Sequence, residues 1–131
     1  MKGRRIFAIS VVAVLLCILL SVNSYRGTDE NAGVTFPVLT DMVLDSVSPE
    51  FLLQNPVENK GWYLLKYEFT DTATGDVFFS TNWLEGGKQY SYRLDGLEGS
   101  IDSRVHIYAK DADTYDNVSG INLYIKITKG E

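Results

Sequence analysis

Three aspartates, Asp111, Asp113 and Asp116, stand close together in one short segment of the chain. Carboxylate oxygens are ligands that Ca²⁺ prefers, so this spacing resembles the beginning of a calcium-binding loop. The EF-hand pattern is not completed, because Tyr115 and Asp116 hold the fifth and sixth positions, where an oxygen ligand and a glycine are needed. The segment is therefore either a weak calcium site or a plain acidic turn, and the sequence favours the turn. No other cofactor is indicated.

His106 is the only histidine in the chain. It lies between Arg104 and Tyr108 in an alternating run, which predicts a side chain that faces outward into solvent. One histidine without a nearby cysteine cannot complete a zinc site, and no nucleophile–base pair can be identified. We therefore expect that the protein is not an enzyme.

Four aromatic residues are the remaining candidates for partner binding: Trp62, Trp83, Tyr108 and Tyr124. Alternation places Trp62 and Tyr124 on the sides of strands that face away from the core. Exposed aromatic rings on a sheet can stack on sugars or fill a pocket in a protein partner. The alternative is that these rings are buried under loops.

The elements that would position these residues are strands. Apolar and polar residues alternate with period two, which is typical of half-buried antiparallel strands, over residues 63–70, 88–94, 104–110 and 121–128. Less regular strands are predicted over residues 34–38, 42–47, 51–54 and 77–83. Turn residues such as those in the segment 72–76 and at Gly86 and Gly87 separate the runs. Seven or eight short strands at this spacing predict an all-β sandwich.

The first 24 residues have a different composition. Lys2, Arg4 and Arg5 precede an uncharged apolar run over residues 6–22. As a helix this run would be roughly 26 Å long, near the lower limit for crossing a bilayer and near the upper limit for a signal peptide. We expect one hydrophobic helix, either a retained signal-anchor or a cleaved signal peptide. Cys17 is then an apolar residue within that helix.

The basic residues fix the expected orientation. They hold the N-terminus inside the cell, so the rest of the chain is predicted to be extracytoplasmic. With a retained helix the protein is a single-pass protein of the cell membrane, and with a cleaved one it is secreted. The polar residues 25–33 form a short linker to a domain over residues 34–131.

Charge and cysteine content narrow the class of partner. The formal net charge is −5, and Lys2, Arg4 and Arg5 contribute +3 of it, so the remaining residues carry −8. An acidic domain repels phosphate backbones, and we therefore predict that nucleic acid is not a partner. No cysteine follows Cys17, which excludes a domain built on disulfides and favours a bacterial surface protein.

Several turn and strand motifs resemble those of a known group of proteins. They include Asn55-Pro56-x-x-Asn59 and the hairpin that contains Thr74, Gly75, Val77 and Ser80. Over residues 50–128 the chain resembles small, membrane-anchored, immunoglobulin-like proteins of Gram-positive bacteria, often encoded on mobile elements, that have no settled function. Gly86 and Ile101 stand where that group usually has proline and tyrosine. The resemblance implies an immunoglobulin-like antiparallel β-sandwich and says almost nothing about activity.

These observations predict an exported, membrane-anchored bacterial surface domain that makes protein–protein contacts at the cell envelope. The identity of the partner, the biological process and the oligomeric state are not indicated. An enzyme would require a close pocket lined by His106 and two acidic residues, and two further alternatives stay open. One is a carbohydrate or cell-wall binding module that uses Trp62, Trp83 and Tyr124 for stacking. The other is a structural subunit that assembles by strand addition at an open sheet edge.

Overall fold

The structure, a computed structural model, describes residues 33–130. The predicted membrane segment at residues 6–22, Cys17 and most of the 25–33 linker lie outside these residues. Within the described part of the chain, no helix is long and apolar enough to cross a membrane. Phe36 begins the compact unit that holds all the strands described below.

The unit is built from strands, as the sequence predicts. They are β1 (Met42–Leu44), β2 (Glu50–Asn55), β3 (Tyr63–Asp71), β4 (Val77–Ser80), β5 (Lys88–Arg93), β6 (Ser100–Asp111) and β7 (Asn117–Lys129). One turn of 3-10 helix, Val57–Asn59, follows β2. Five strands form a sheet in the order β1-β7-β6-β3-β4, and β2 and β5 form a second sheet. The all-β prediction is confirmed, with seven strands among residues 33–130.

The larger sheet is mixed, so the prediction of a wholly antiparallel arrangement is wrong at one edge. β1 runs parallel to β7, with Met42 opposite Ile127, whereas the other neighbouring strands are antiparallel. Parallel pairing requires a long connection between the two strands. β1 and β7 are the first and last strands of the unit, so the whole intervening chain supplies that connection.

The alternating runs bury one side of each long strand, as the sequence predicts. The buried hydrophobic side chains of β3, β6 and β7 are Leu65, Tyr67, Phe69, Val105, Ile107, Ala109, Ile125 and Ile127, and Ser103 and, on the opposite side of β3, Thr70 are buried as well. The antiparallel register places Arg104 opposite Tyr124, and His106 opposite Asn122, on the other side of the sheet. The outward side chains of these strands therefore share one surface.

Aromatic rings from the two sheets contact each other. Phe51 of β2 lies 5.3 Å from Phe79 of β4 and 6.2 Å from Phe69 of β3, measured between ring centroids. Tyr92 of β5 lies 5.3 Å from Phe79. The planes of the contacting rings of Phe79 and Tyr92 meet at 77°, the edge-to-face arrangement that aromatic pairs favour.

Three of the less regular strands are shorter than predicted or absent, and two of them belong to the part of the chain before β2. The predicted strand over residues 34–38 does not form, since no strand precedes Met42 in the described residues. Pro37 lacks the N–H group that a ladder needs, which accounts for the absence. The predicted strand over residues 42–47 ends at Leu44. Its continuation is replaced by a turn in which the Asp45 carboxylate accepts the N–H groups of Val47 and Ser48, at 2.7 and 2.9 Å.

The predicted strand over residues 77–83 ends at Ser80. Beyond it, the Tyr67 N–H donates to Oγ1 of Thr81 at 3.0 Å, and the Thr81 N–H donates to the Tyr67 carbonyl at 3.0 Å. A side-chain oxygen thus takes the place of a backbone acceptor, and the regular ladder stops. Trp83 consequently lies in an irregular segment beside β3.

Candidate binding surface on the five-stranded sheet

The outward side chains of three central strands form one surface, which we call the β3–β6–β7 face. Its polar and aromatic members are Lys66, Glu68, Asp102, Arg104, His106, Tyr108, Lys110, Asn122, Tyr124 and Lys126. They reach this surface because alternate residues of a strand point to opposite sides of the sheet. The neighbouring strands hold β6 on both sides, so the middle of the face lies on rigid backbone.

Hydrogen bonds fix several of these side chains. His106 Nδ1 lies 2.7 Å from Asn122 Oδ1, an arrangement in which Nδ1 carries the ring proton. The Tyr108 hydroxyl donates to Glu68 Oε1 at 2.9 Å, and this bond, more than partial burial, raises the pKa of the Tyr108 phenol. The rings of His106 and Tyr108 are 4.2 Å apart. Two cross-strand pairs therefore hold neighbouring aromatic side chains in defined positions.

Two lysines of the face meet aromatic rings contributed by loops. Lys110 Nζ lies 4.2 Å from the ring centroid of Trp83 and 4.4 Å from that of Tyr115. Lys66 Nζ lies 6.0 Å from the centroid of the same Trp83 ring. These distances suit cation–π attraction. We call Lys66, Trp83, Lys110 and Tyr115 the lysine–aromatic cluster.

Among residues 33–130, no carboxylate lies within 4.0 Å of a cation of the face. Among residues 33–130 the ion pairs within 4.0 Å join Lys88 to Glu85 and Arg93 to Glu50 and Asp95. None of them includes a basic side chain of the β3–β6–β7 face. No carboxylate of the described residues therefore neutralises these positive charges.

The structure brings three of the four predicted aromatic residues to this surface. Tyr124 is 69% exposed on β7, and Tyr108 is half-buried on β6. Trp83 joins them through the lysine–aromatic cluster. Trp62 is 45% exposed, and its carbonyl accepts the N–H of Ala112 at 2.9 Å, so it lies beside the β6–β7 hairpin. Whether these residues bind a partner stays a prediction.

The sequence did not identify Lys66, Lys110 or Tyr115 as members of the site. Alternation already indicated that the two lysines face outward, but nothing local indicated that Trp83 would lie against them. Tyr115 offered one signal, because it occupies the position in its turn that Gly75 occupies in the β3–β4 hairpin. The structure gives both residues a positive φ, 65° for Tyr115 and 80° for Gly75.

The three aspartates of the predicted calcium loop are not gathered into a ligand set. Asp111 Oδ1 accepts the N–H groups of Asp113 and Thr114 at 2.8 and 3.0 Å, which closes the turn. In the described part of the chain, no group of three or more His, Cys, Asp or Glu side chains could hold a metal ion. Asp116 contributes its backbone carbonyl, which accepts the Asp111 N–H at 2.9 Å.

The β3–β4 hairpin repeats this turn. Asp71 Oδ1 accepts the Ala73 N–H at 2.8 Å, and the Asp71 N–H donates to the Asp76 carbonyl at 2.8 Å. In both hairpins a threonine Oγ1 accepts the N–H of the aspartate two residues later: Thr74 from Asp76, and Thr114 from Asp116. The two turns thus share these bonds, although Asp111 also accepts the Thr114 N–H, and the shared backbone geometry accounts for the acidic residues.

In comparisons with protein-family models, curated proteins and solved structures, no match to this chain was found. The resemblance to immunoglobulin-like proteins of Gram-positive bacteria therefore stays a prediction.

Proposed function

We propose that the chain is an exported, membrane-anchored bacterial surface protein that binds a protein partner through the β3–β6–β7 face and has no enzymatic activity. The observation that carries the proposal is the set of fixed aromatic and basic side chains at the centre of that face. Tyrosine, tryptophan and arginine are the residues that most often dominate binding at protein interfaces. Arg104 lies opposite Tyr124 on the paired strands β6 and β7, and Tyr108 follows on the same side of β6 after His106.

The arrangement of strands supports an immunoglobulin-like β-sandwich as the scaffold. In that fold, strands B and E belong to one sheet, and strands C, F and G belong to the other. If β2 and β5 correspond to B and E, then β3, β6 and β7 correspond to C, F and G, in agreement with the two sheets. The contacts of Phe51 with Phe69 and Phe79 between the sheets support the same assignment.

The hydrogen bonds of the face support binding in a second way. Ordering a loose side chain at an interface costs about 0.5–1.5 kcal/mol of binding free energy. The bonds of His106 to Asn122 and of Tyr108 to Glu68 hold these groups in place before a partner arrives. A surface organised in this way loses less entropy on association.

The lysine–aromatic cluster favours a protein partner over a sugar. A stacking platform for a carbohydrate needs an uncovered ring face. The Lys110 ammonium group already lies 4.2 Å from the Trp83 ring centroid, where it competes with a sugar for one face of the indole. Trp83 is therefore a poorer sugar platform than its sequence context suggests.

Photo-crosslinking in intact cells tests the proposal. A photoreactive amino acid at position 124 should capture one protein, because Tyr124 is 69% exposed on the β7 part of the face. The matched control is position 52, since Leu52 is 57% exposed on β2 of the other sheet. Equal products from both positions, or none from position 124, would contradict the proposed interface.

Thiol labelling tests export. Ser91 is exposed on β5, and the chain has no cysteine besides Cys17. In the variant Cys17→Ser with Ser91→Cys, a membrane-impermeant maleimide should label intact cells. Labelling that requires lysis would contradict the proposed location, and the mass of the labelled chain distinguishes a retained helix from a cleaved one.

A second candidate, assembly by strand addition, is supported by the two-stranded sheet. Within the described residues, β2 and β5 pair only with each other, so each has one unpaired edge. Sheet edges of this kind accept strands of other chains. Sedimentation of the full chain distinguishes this candidate. Polymerisation would give larger species whose amount rises with concentration, and Ser91→Pro, on the edge strand β5, should suppress them.

A further inference from the structure

The β3–β6–β7 face differs in charge from the rest of its unit. It carries four basic side chains, Lys66, Arg104, Lys110 and Lys126, and two acidic ones, Glu68 and Asp102. The other charged side chains of residues 36–130 are four basic and twelve acidic. A locally positive surface therefore lies on an otherwise negative domain.

Aromatic rings hold the two lysines of the cluster without neutralising them. Cation–π attraction leaves the formal charge of an ammonium group in place, and the group keeps N–H donors for an acceptor. Lys66 and Lys110 approach the same Trp83 ring, at 6.0 and 4.2 Å from its centroid. Two unpaired cations thus converge on one point of the surface, where a carboxylate could bind both.

We propose that the β3–β6–β7 face binds an acidic protein surface, with a partner carboxylate held by Lys66 and Lys110 beside Trp83. The inference rests on the proposed function and adds the chemistry of the partner. Complementary charge steers association and sets specificity more than it sets affinity. Tyr108, opposite Lys66, supplies aromatic contact area next to this charged point, and Tyr124 lies farther along the same face, opposite Arg104.

A compact acidic patch fits the domain better than a long polyanion does. The electrostatic attraction of a charged patch on a folded partner acts mainly within a Debye length, about 8–10 Å at physiological ionic strength. Such a patch therefore interacts mainly with the basic face. An extended polyphosphate or nucleic acid would also run past the acidic parts of the domain, which repel it. Glu68 and Asp102 interrupt the basic side chains, which further disfavours a continuous phosphate track.

A second copy of the chain is a poorer partner. A two-fold symmetric contact through this face would bring together two surfaces that each carry a net positive charge, because such an interface pairs a surface with itself. Like charges placed in contact are destabilising. A partner with a different, acidic surface avoids this repulsion.

Binding of a tri-glutamate peptide by the full chain tests the inference, because a peptide of roughly 10 Å fits within the basic face and does not reach the acidic parts of the domain. Fluorescence anisotropy of a labelled peptide gives the affinity, which should fall steeply as salt is added. In the Trp62→Phe variant, Trp83 is the only indole, so a change in its emission on adding peptide locates binding at the cluster.

Two double variants with the same change in net charge complete the design. Lys66→Gln with Lys110→Gln should weaken peptide binding by about three- to tenfold, the range for two exposed ion pairs. Lys60→Gln with Lys129→Gln removes two exposed lysines outside the face and should change affinity less than twofold. Equal losses in the two variants would overturn the inference, because binding would then follow net charge alone.

Three further results would overturn it. They are the absence of peptide binding, tighter binding of a polyphosphate with the same number of charges, and self-association that depends on Lys66 and Lys110. The proposed function fails separately, through the crosslinking experiment at position 124. Crosslinking without peptide binding would leave the protein interface standing and remove only the acidic partner.

Discussion

The Asn59 side chain donates a hydrogen bond from Nδ2 to Oδ1 of Asn55 at 2.7 Å, and both side chains are fully buried. Asn55 Nδ2 in turn donates to the carbonyls of Tyr63 at 3.0 Å and Leu84 at 2.8 Å. One buried amide therefore links the end of β2, the 3-10 turn, the start of β3 and the irregular segment after β4.

We expect Asn55→Ala to lower the free energy of unfolding by about 2–4 kcal/mol, because the three hydrogen bonds made by this amide would be lost. Urea denaturation of the full chain measures the change. The control is Gln54→Ala, which alters an exposed side chain on the neighbouring position of β2 and should cost less than about 1 kcal/mol. Similar losses in the two variants would contradict a special role for the amide.

The sequence motif Asn55-Pro56-x-x-Asn59 predicted the end of a strand but not the burial of both asparagines. Asparagine is usually exposed, so a hydrophobic pattern assigns it to the surface. Its acceptor on Leu84 lies 29 residues away, which no local pattern reveals. By contrast, the inward residues of β3, β6 and β7 were predicted correctly, because period two alone determines which side of a strand faces the core.

The candidate surface was predictable only in part, for the same reason. Alternation placed Tyr108 and Tyr124 outward. The lysine–aromatic cluster depends on Trp83, from the segment after β4, and Tyr115, from the β6–β7 turn. These residues meet Lys110 through tertiary structure, so spacing along the chain gave no sign of the contact.

Gly86 allows a close backbone approach that any side chain would block. A Cβ atom at this position would lie 2.5 Å from the backbone C of Asn59 and 2.5 Å from the N of Lys60. Gly86→Ala should therefore lower the free energy of unfolding by about 2–3 kcal/mol, as overpacking does. Thermal or urea unfolding measures the loss.

Gly96→Ala is the matched control for this prediction. Gly96 has φ +84° and nothing within 4 Å of its Cβ position, so alanine there meets only backbone strain of about 1 kcal/mol. The steric explanation requires that Gly86→Ala is the more damaging change, and the reverse order would refute it.

Tyr115 adopts φ 65°, in the left-handed region, which is unfavourable for residues that have a Cβ atom. We expect Tyr115→Gly to raise the free energy of unfolding by about 0.5–1 kcal/mol, since the strain relieved exceeds the loss of an exposed contact with Lys110. The equivalent position in the β3–β4 hairpin is Gly75, with φ 80°, where alanine should lower stability by about 1 kcal/mol. Changes of the same sign in both hairpins would contradict the shared turn geometry.

The Asp111 carboxylate closes the β6–β7 turn by accepting two backbone N–H groups. We expect Asp111→Ala to cost about 1 kcal/mol, the usual value of such bonds, and Asp111→Asn to cost less because an amide oxygen can still accept. We expect calcium to have no effect, so each of the three proteins should have the same melting temperature with and without millimolar calcium. A rise in the melting temperature with calcium, lost in Asp111→Asn, would instead establish the metal site that the aspartates suggest.

Tyr67 is fully buried, and its hydroxyl donates to the Gln54 carbonyl at 2.6 Å. At neutral pH we expect Tyr67→Phe to be about 1 kcal/mol less stable, because it loses this bond and leaves the carbonyl unpaired.

Burial raises the pKa of the Tyr67 phenol far above its ordinary value. A group whose pKa is raised in the folded state contributes stability fully below its unfolded pKa of about 10, and this contribution is lost as pH rises toward the folded value. The wild type should therefore lose more stability than Tyr67→Phe between about pH 9 and pH 11. The difference between their free energies of unfolding should become smaller over this range. Urea unfolding at several pH values in this range measures the difference. Tyr124→Phe, which removes an exposed phenol, is the control. A gap that stays constant or widens with pH would contradict the burial of the Tyr67 hydroxyl.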